Sequence, residues 1–117
     1  MPKTISITAI ASISALGNNQ VAIWNNYQSN DHCFETISFG TQNAFVAPMD
    51  STSKLEIEAL KNSDQKYKSL DNSVLFAITA SRKAIEKVGW QKSDTFGINI
   101  GSSRGATELF EKHHLDF

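Results

Sequence analysis

Cysteine is almost missing from this chain of 117 residues. The single thiol, Cys33, excludes an intrachain disulfide and fits a reducing compartment. Neither charge is in excess: 11 basic residues meet 12 acidic ones, for a net charge of −1. That removes the electrostatic case for binding nucleic acid or an anionic membrane. Long apolar runs are lacking as well. The longest near the start, residues 5–16, is broken by Ser6, Thr8, Ser12 and Ser14, which makes it too short and too polar to cross a bilayer. A secretory leader needs a basic start and an unbroken apolar stretch, but here Lys3 stands alone. Low-complexity segments, repeats and like-charge blocks are absent too. These absences leave a cytoplasmic globular protein, and a hydrophobic content of 40% is enough for one small domain.

What is present is an alternation of strand-like and helix-like segments. In residues 4–10, Ile5 and Ile7 alternate with Ser6 and Thr8, which predicts a strand. Residues 12–17 are small and polar and read as a turn. Asn18 or Asn19 then caps a helix in which Val21, Trp24 and Tyr27 recur at helical spacing. Residues 32–70 are weakly patterned and read as a surface excursion. Within it, 34–39 and 43–46 have the composition of short strands, Pro48 ends the second, and Ser51 or Thr52 caps a helix over 54–61.

The clearest helix covers residues 70–88. Asp71 is its N-cap, and Val74, Ala77, Ile78, Ala84, Ile85 and Val88 form an apolar stripe. Leu75, Phe76 and Ala80 widen that stripe, so much of the first half is expected to be buried. Ala77, Ala80 and Ala84 are small enough for close packing against another element. Gly89 stops the helix, and Trp90 is expected to fold back on its last turn. In residues 96–100, Phe96, Ile98 and Ile100 alternate with Gly97 and Asn99, which predicts a second strand. Gly101, Ser102, Ser103, Arg104 and Gly105 make a tight turn, and 106–112 a helix. Strands separated by helices argue for an α/β fold with right-handed crossovers. Only Leu115, Asp116 and Phe117 follow the last helix, so the chain reads as an interrupted α/β unit.

Few side chains have the spacing of a reactive site. Cys33 lies in an extended segment beside His32, where neighbouring side chains point apart, and reads as a free structural thiol rather than a nucleophile. His113 and His114 are consecutive and diverge on a helix, so they suit its C-terminus better than a metal. Asp71, Glu86, Glu56 and Glu58 read as capping or solvated-face charges, and no two carboxylates form an acid/base pair. The turn at 101–105 admits one further reading. Between a strand and a helix, Gly-x-x-x-Gly with serines and arginine resembles the phosphate-binding turn of short-chain dehydrogenases. The acidic ribose ligand roughly twenty residues further on has no place in this chain.

Taken together, ISITAIASISALGNN with Trp24 after it, FAITASRKAIEKVGW, and GINIGSSRGATELFEKHH resemble the amino-terminal part of a β-ketoacyl-acyl-carrier-protein synthase. The resemblance is strong over residues 4–29 and 71–114 and weak over 30–70. It implies a thiolase-like fold, an αβαβα layered sandwich of two similar halves, with residues 1–117 forming a single incomplete domain. It also implies decarboxylative condensation of acyl and malonyl thioesters, in fatty-acid or polyketide-like synthesis. The partner would be acyl carrier protein, the assembly a homo- or heterodimer, and no metal or nucleotide cofactor is implied. The family uses a nucleophilic cysteine, whose thiolate attacks and leaves thioesters readily, and two histidines. No motif here corresponds to them, so the chain alone is expected to be inactive and poorly stable, with the Leu75, Phe76 and Ile78 face under-covered. Gly101, Ser102, Ser103, Arg104 and Gly105 resemble the family's Ile-Gly-Ser-x-x-Gly segment, near the acyl pocket and subunit interface. Ala9 and Ala11 stand where many members carry glycine. Arg104 stands where many carry an aliphatic residue, and it motivates the alternative of a non-catalytic chain-length-factor-like subunit.

Overall fold

Helix-forming residues dominate what is ordered in the computed structural model, which describes residues 3–115. The order is α1 (Gln20–Gln28), β1 (Glu35–Phe39), β2 (Gln42–Val46), α2 (Ser51–Ser63), a 3-10 turn (Gln65–Tyr67), α3 (Asn72–Val88) and α4 (Thr107–Leu115). The content is therefore mixed α and β. Asp116 and Phe117, which the sequence places after the last helix, lie outside the described residues.

Local chemistry accounts for most element ends. The Asn19 side chain accepts from the Ala22 N–H at 2.9 Å and starts α1. Asp50 rather than Ser51 or Thr52 caps α2, accepting from the Ser53 N–H at 3.3 Å. Its carboxylate is the longer-reaching acceptor one residue earlier, and the helix accordingly starts sooner than expected. Gly89 ends α3 in the left-handed region (φ +80°), its N–H shared between the Ile85 and Glu86 carbonyls.

The two short strands expected in 34–39 and 43–46 form an antiparallel hairpin, with Glu35 opposite Val46 and Phe39 opposite Gln42. Gly40 turns it at φ +63°. Both faces are open to solvent, and a lone hairpin of this kind is marginal in water. The expected strands at 4–10 and 96–100 are a correction. Both segments lack strand pairing, and the hairpin is the only sheet among the described residues. Among the described residues no parallel crossover is formed. Alternation makes these segments suited to a sheet, but a strand exists only against a neighbour that takes up its backbone groups.

The packed centre is small. Helices α2 and α3 contact each other. Ser53 and Ile57 are the buried residues of α2, one turn apart, and Leu75 and Thr79 those of α3. Leu75, expected to be under-covered, is fully buried, while Phe76 and Ile78 are half-buried. The Ser53 and Thr79 hydroxyls have no hydrogen-bond partner, so at this point the two helices meet through packing rather than polar contact. Trp90 stacks on Phe96, with ring centroids 4.9 Å apart.

Around that centre the chain is open. Its surface is 9898 Å², against about 6,300 Å² for a compact protein of this mass. The radius of gyration is 17.5 Å, where about 13 Å is usual for this length. With so little buried, Leu75→Ala is expected to destabilise the chain by about 2–5 kcal/mol. Ile5→Ala, at a side chain 95% exposed, should change stability by less than about 0.5 kcal/mol. Urea titrations of the two variants beside the parent check the contrast.

Candidate functional site

Two regions outside the small core gather side chains. The first is an open groove between the amino-terminal segment, α1 and the second half of α3. Residues 7–12 form one side, Val21, Trp24 and Tyr27 another, and Lys83, Glu86 and Lys87 the floor. Val21, Trp24 and Tyr27 recur at helical spacing, as the sequence predicts, but they are not covered. They face solvent, with Trp24 and Tyr27 stacked at 6.2 Å.

Polar contacts hold this groove's framework. Lys83 Nζ donates to the Asn18 carbonyl at 2.8 Å and to Glu56 Oε2 at 2.7 Å, and Asn18 Nδ2 donates to the same Glu56 oxygen at 2.7 Å. Glu56 is therefore a partly buried ion-pair partner, not the solvated-face charge the sequence implies. Lys87 Nζ donates to the Ile10 carbonyl at 2.7 Å. The turn entering α1 is closed by paired hydrogen bonds between Ser14 and Gly17, at 3.1 and 3.0 Å. Gly17 is required there: its φ is +127°, and a Cβ would meet Ala22 Cβ at 3.1 Å.

The second region is the glycine–serine turn and the helix it opens. Gly101, Ser102, Ser103, Arg104 and Gly105 are all exposed. The structure keeps them together as one turn, in which the Gly105 N–H donates to Ser102 Oγ at 2.9 Å and Gly105 takes φ +67°. Helix α4 follows, as the sequence predicts, and runs to Leu115. Glu108 lies in its first turn and Lys112, His113 and His114 in its last, with the Glu108 and Lys112 charges each matched to the helix dipole.

Sequence reasoning missed the group that completes this region. Asp71, 6% exposed, uses both carboxylate oxygens. Oδ1 accepts from the Ser73 N–H at 2.8 Å and the Ser73 hydroxyl at 2.7 Å, starting α3. Oδ2 accepts from the N–H groups of Glu108 at 3.0 Å and Leu109 at 3.4 Å, at the start of α4. A phosphate binding at that helix start would have to displace this internal carboxylate, and no strand precedes the turn. The arrangement therefore does not favour the dinucleotide reading.

The remaining candidates stay apart. Cys33 is half-buried and unbridged. Beside it, His32 Nδ1 accepts from the Phe34 N–H at 3.2 Å, so the imidazole is engaged with Phe34 rather than the thiol. His114 stacks on Phe110 at 6.2 Å. Among the described residues no three metal-ligating side chains come together, and no helix is long and apolar enough to cross a membrane. Comparison with protein-family models, with curated proteins and with solved structures finds no significant match for this chain.

The Ser73 hydroxyl first, then the Ser73, Leu109 and Glu108 N–H groups, hold the Asp71 carboxyl below its ordinary 3.8, against an opposing effect of desolvation. A carboxyl depressed in the folded state stabilises it above the unfolded value. That stability is lost as pH falls through the folded value. Helicity followed by circular dichroism should therefore hold steady down to about pH 4 and decline below 3.8. Asp71→Asn should flatten part of that acid-dependent decline.

Proposed function

We propose that this chain is the amino-terminal portion of a β-ketoacyl-acyl-carrier-protein synthase with a thiolase-like fold. The complete enzyme would join acyl and malonyl thioesters with loss of carbon dioxide. The observation that carries this reading is the state of the two alternating segments. Ile5 and Ile7 are 95% and 81% exposed, Ile98 and Ile100 are 66% and 59% exposed, and none of them lies in a paired strand. β-branched residues alternating in unpaired backbone suit strands that pair with other strands and have their apolar face covered. In a layered sandwich both segments would be interior strands, and the segments resembling the synthase family include both of them.

In this reading the turn at 101–105 lies at the exit of an interior strand, facing the acyl pocket or the subunit interface. Its backbone would form part of the wall. The Arg104 side chain, exposed and without an ion pair among the described residues, would bring a fixed positive charge there. A guanidinium there suits a polar or anionic group better than a plain alkyl chain. This is the feature that favours the second reading, a chain-length-factor-like subunit that shapes the pocket of a catalytic partner. Acyl carrier protein, as the thioester carrier, is the partner in both readings.

The nucleophile separates the two. Incubated with acyl-carrier-protein thioesters, the 117-residue chain should show no acyl adduct by mass spectrometry, since Cys33 has no activating base. The coding sequence beyond Phe117 should supply a cysteine at a strand-to-helix turn and two later histidines. Related sequence without that cysteine would move the assignment to the non-catalytic subunit. Acylation of Cys33, or unrelated downstream sequence, would sink both. NADPH titrated against intrinsic tryptophan fluorescence should produce no saturable change, and saturable binding would revive the dehydrogenase-like reading.

A further inference from the structure

Helix α4 has no side-chain cap of its own. Ala106 occupies its N-cap position, its carbonyl accepting from the Phe110 N–H at 3.0 Å, and alanine is among the poorest residues there because it offers no acceptor. The N–H groups an N-cap side chain would satisfy are those of the second and third helical residues, here Glu108 and Leu109. Asp71 Oδ2 satisfies both, from 37 and 38 residues away in sequence. Among the described residues no other hydrogen bond or ion pair joins residues 97–115 to the rest of the chain. The helix has nine residues, and isolated helices shorter than about 12–15 residues are marginal in water.

We propose that Asp71 is a positioning residue that caps two helices at once, one with each carboxylate oxygen, and so fixes the 101–105 turn against α3. The two oxygens have separate duties. Oδ1 keeps α3, whose contact with α2 does not depend on α4. Oδ2 supplies the cap that Ala106 lacks, and thereby sets where Gly101, Ser102, Ser103, Arg104 and Gly105 lie. The consequence for an acyl pocket or subunit interface rests on the functional reading above. The capping itself does not, and its test reads helix protection rather than acyl transfer, so the two can fail separately.

The test is amide hydrogen exchange on the full chain, followed residue by residue. Asp71→Asn keeps the shape of the side chain but leaves one oxygen acceptor. Exchange at the α4 amides, led by Glu108 and Leu109, should speed up about tenfold. Amides of α3 should stay within about twofold of the parent. Adding Ala106→Ser to Asp71→Asn gives α4 a local acceptor and should return its protection to near the parent's. Any other pattern overturns the proposal: an α4 already unprotected in the parent, unchanged α4 exchange in Asp71→Asn, α3 and α4 accelerating together, or no rescue by Ala106→Ser.

Discussion

A carboxylate bonded to two helix starts is the contact on which the order of this chain's last segment depends, and it belongs to a wider pattern. Polar contacts between distant parts of the chain converge on α3. Asp71 at its beginning reaches α4. Arg82 donates to the Tyr67 hydroxyl at 2.7 Å. Lys83 grips Asn18 and Glu56, and Lys87 grips Ile10. Each has a charged group as donor or acceptor, the stronger class of hydrogen bond. The helix acts as a spine because it is the longest regular element among the described residues, contacts α2 and buries Leu75.

Such ties hold segments in place without covering them. Apolar burial is the dominant favourable contribution to folding and scales with the area removed from water. Among the described residues only Ile57 and Leu75 are buried hydrophobic residues, so attachment and coverage have come apart. The amino-terminal segment is fixed at Ile10 by Lys87, yet Ile5 and Ile7 project into solvent. An open groove between tethered elements and a pair of unpaired alternating segments belong together physically: both are apolar surface waiting for a neighbour. The layered sandwich we propose would supply such neighbours.

Features written within a few residues of one another were legible in the sequence. The Asn19 and Asp71 caps, the Gly89 stop, the hairpin segments and the helix after Gly105 follow from side-chain acceptors, backbone permissiveness and local spacing. Features that need a distant partner were not. The strands at 4–10 and 96–100 were expected from alternation that says which faces they would have, not which strand would pair with them. The Lys83–Glu56 contact spans 27 residues and leaves no local trace. One signal for the second cap was available: a helix opening at Ala106, with no local acceptor, implies that its first N–H groups are met from elsewhere.

Composition and local pattern by themselves determined a mixed α and β chain with balanced charge, one unbridged thiol, and a glycine–serine turn leading into a helix. Tertiary structure decided that Leu75 is the fully buried hydrophobic residue, that Glu56 is paired, and that one carboxylate serves two helices. The division has a physical reason. Caps and turns are short-range hydrogen bonds whose partners the chain brings together for almost no loop entropy. Burial and remote capping depend on closing long loops, and the three-dimensional arrangement alone settles which closures occur.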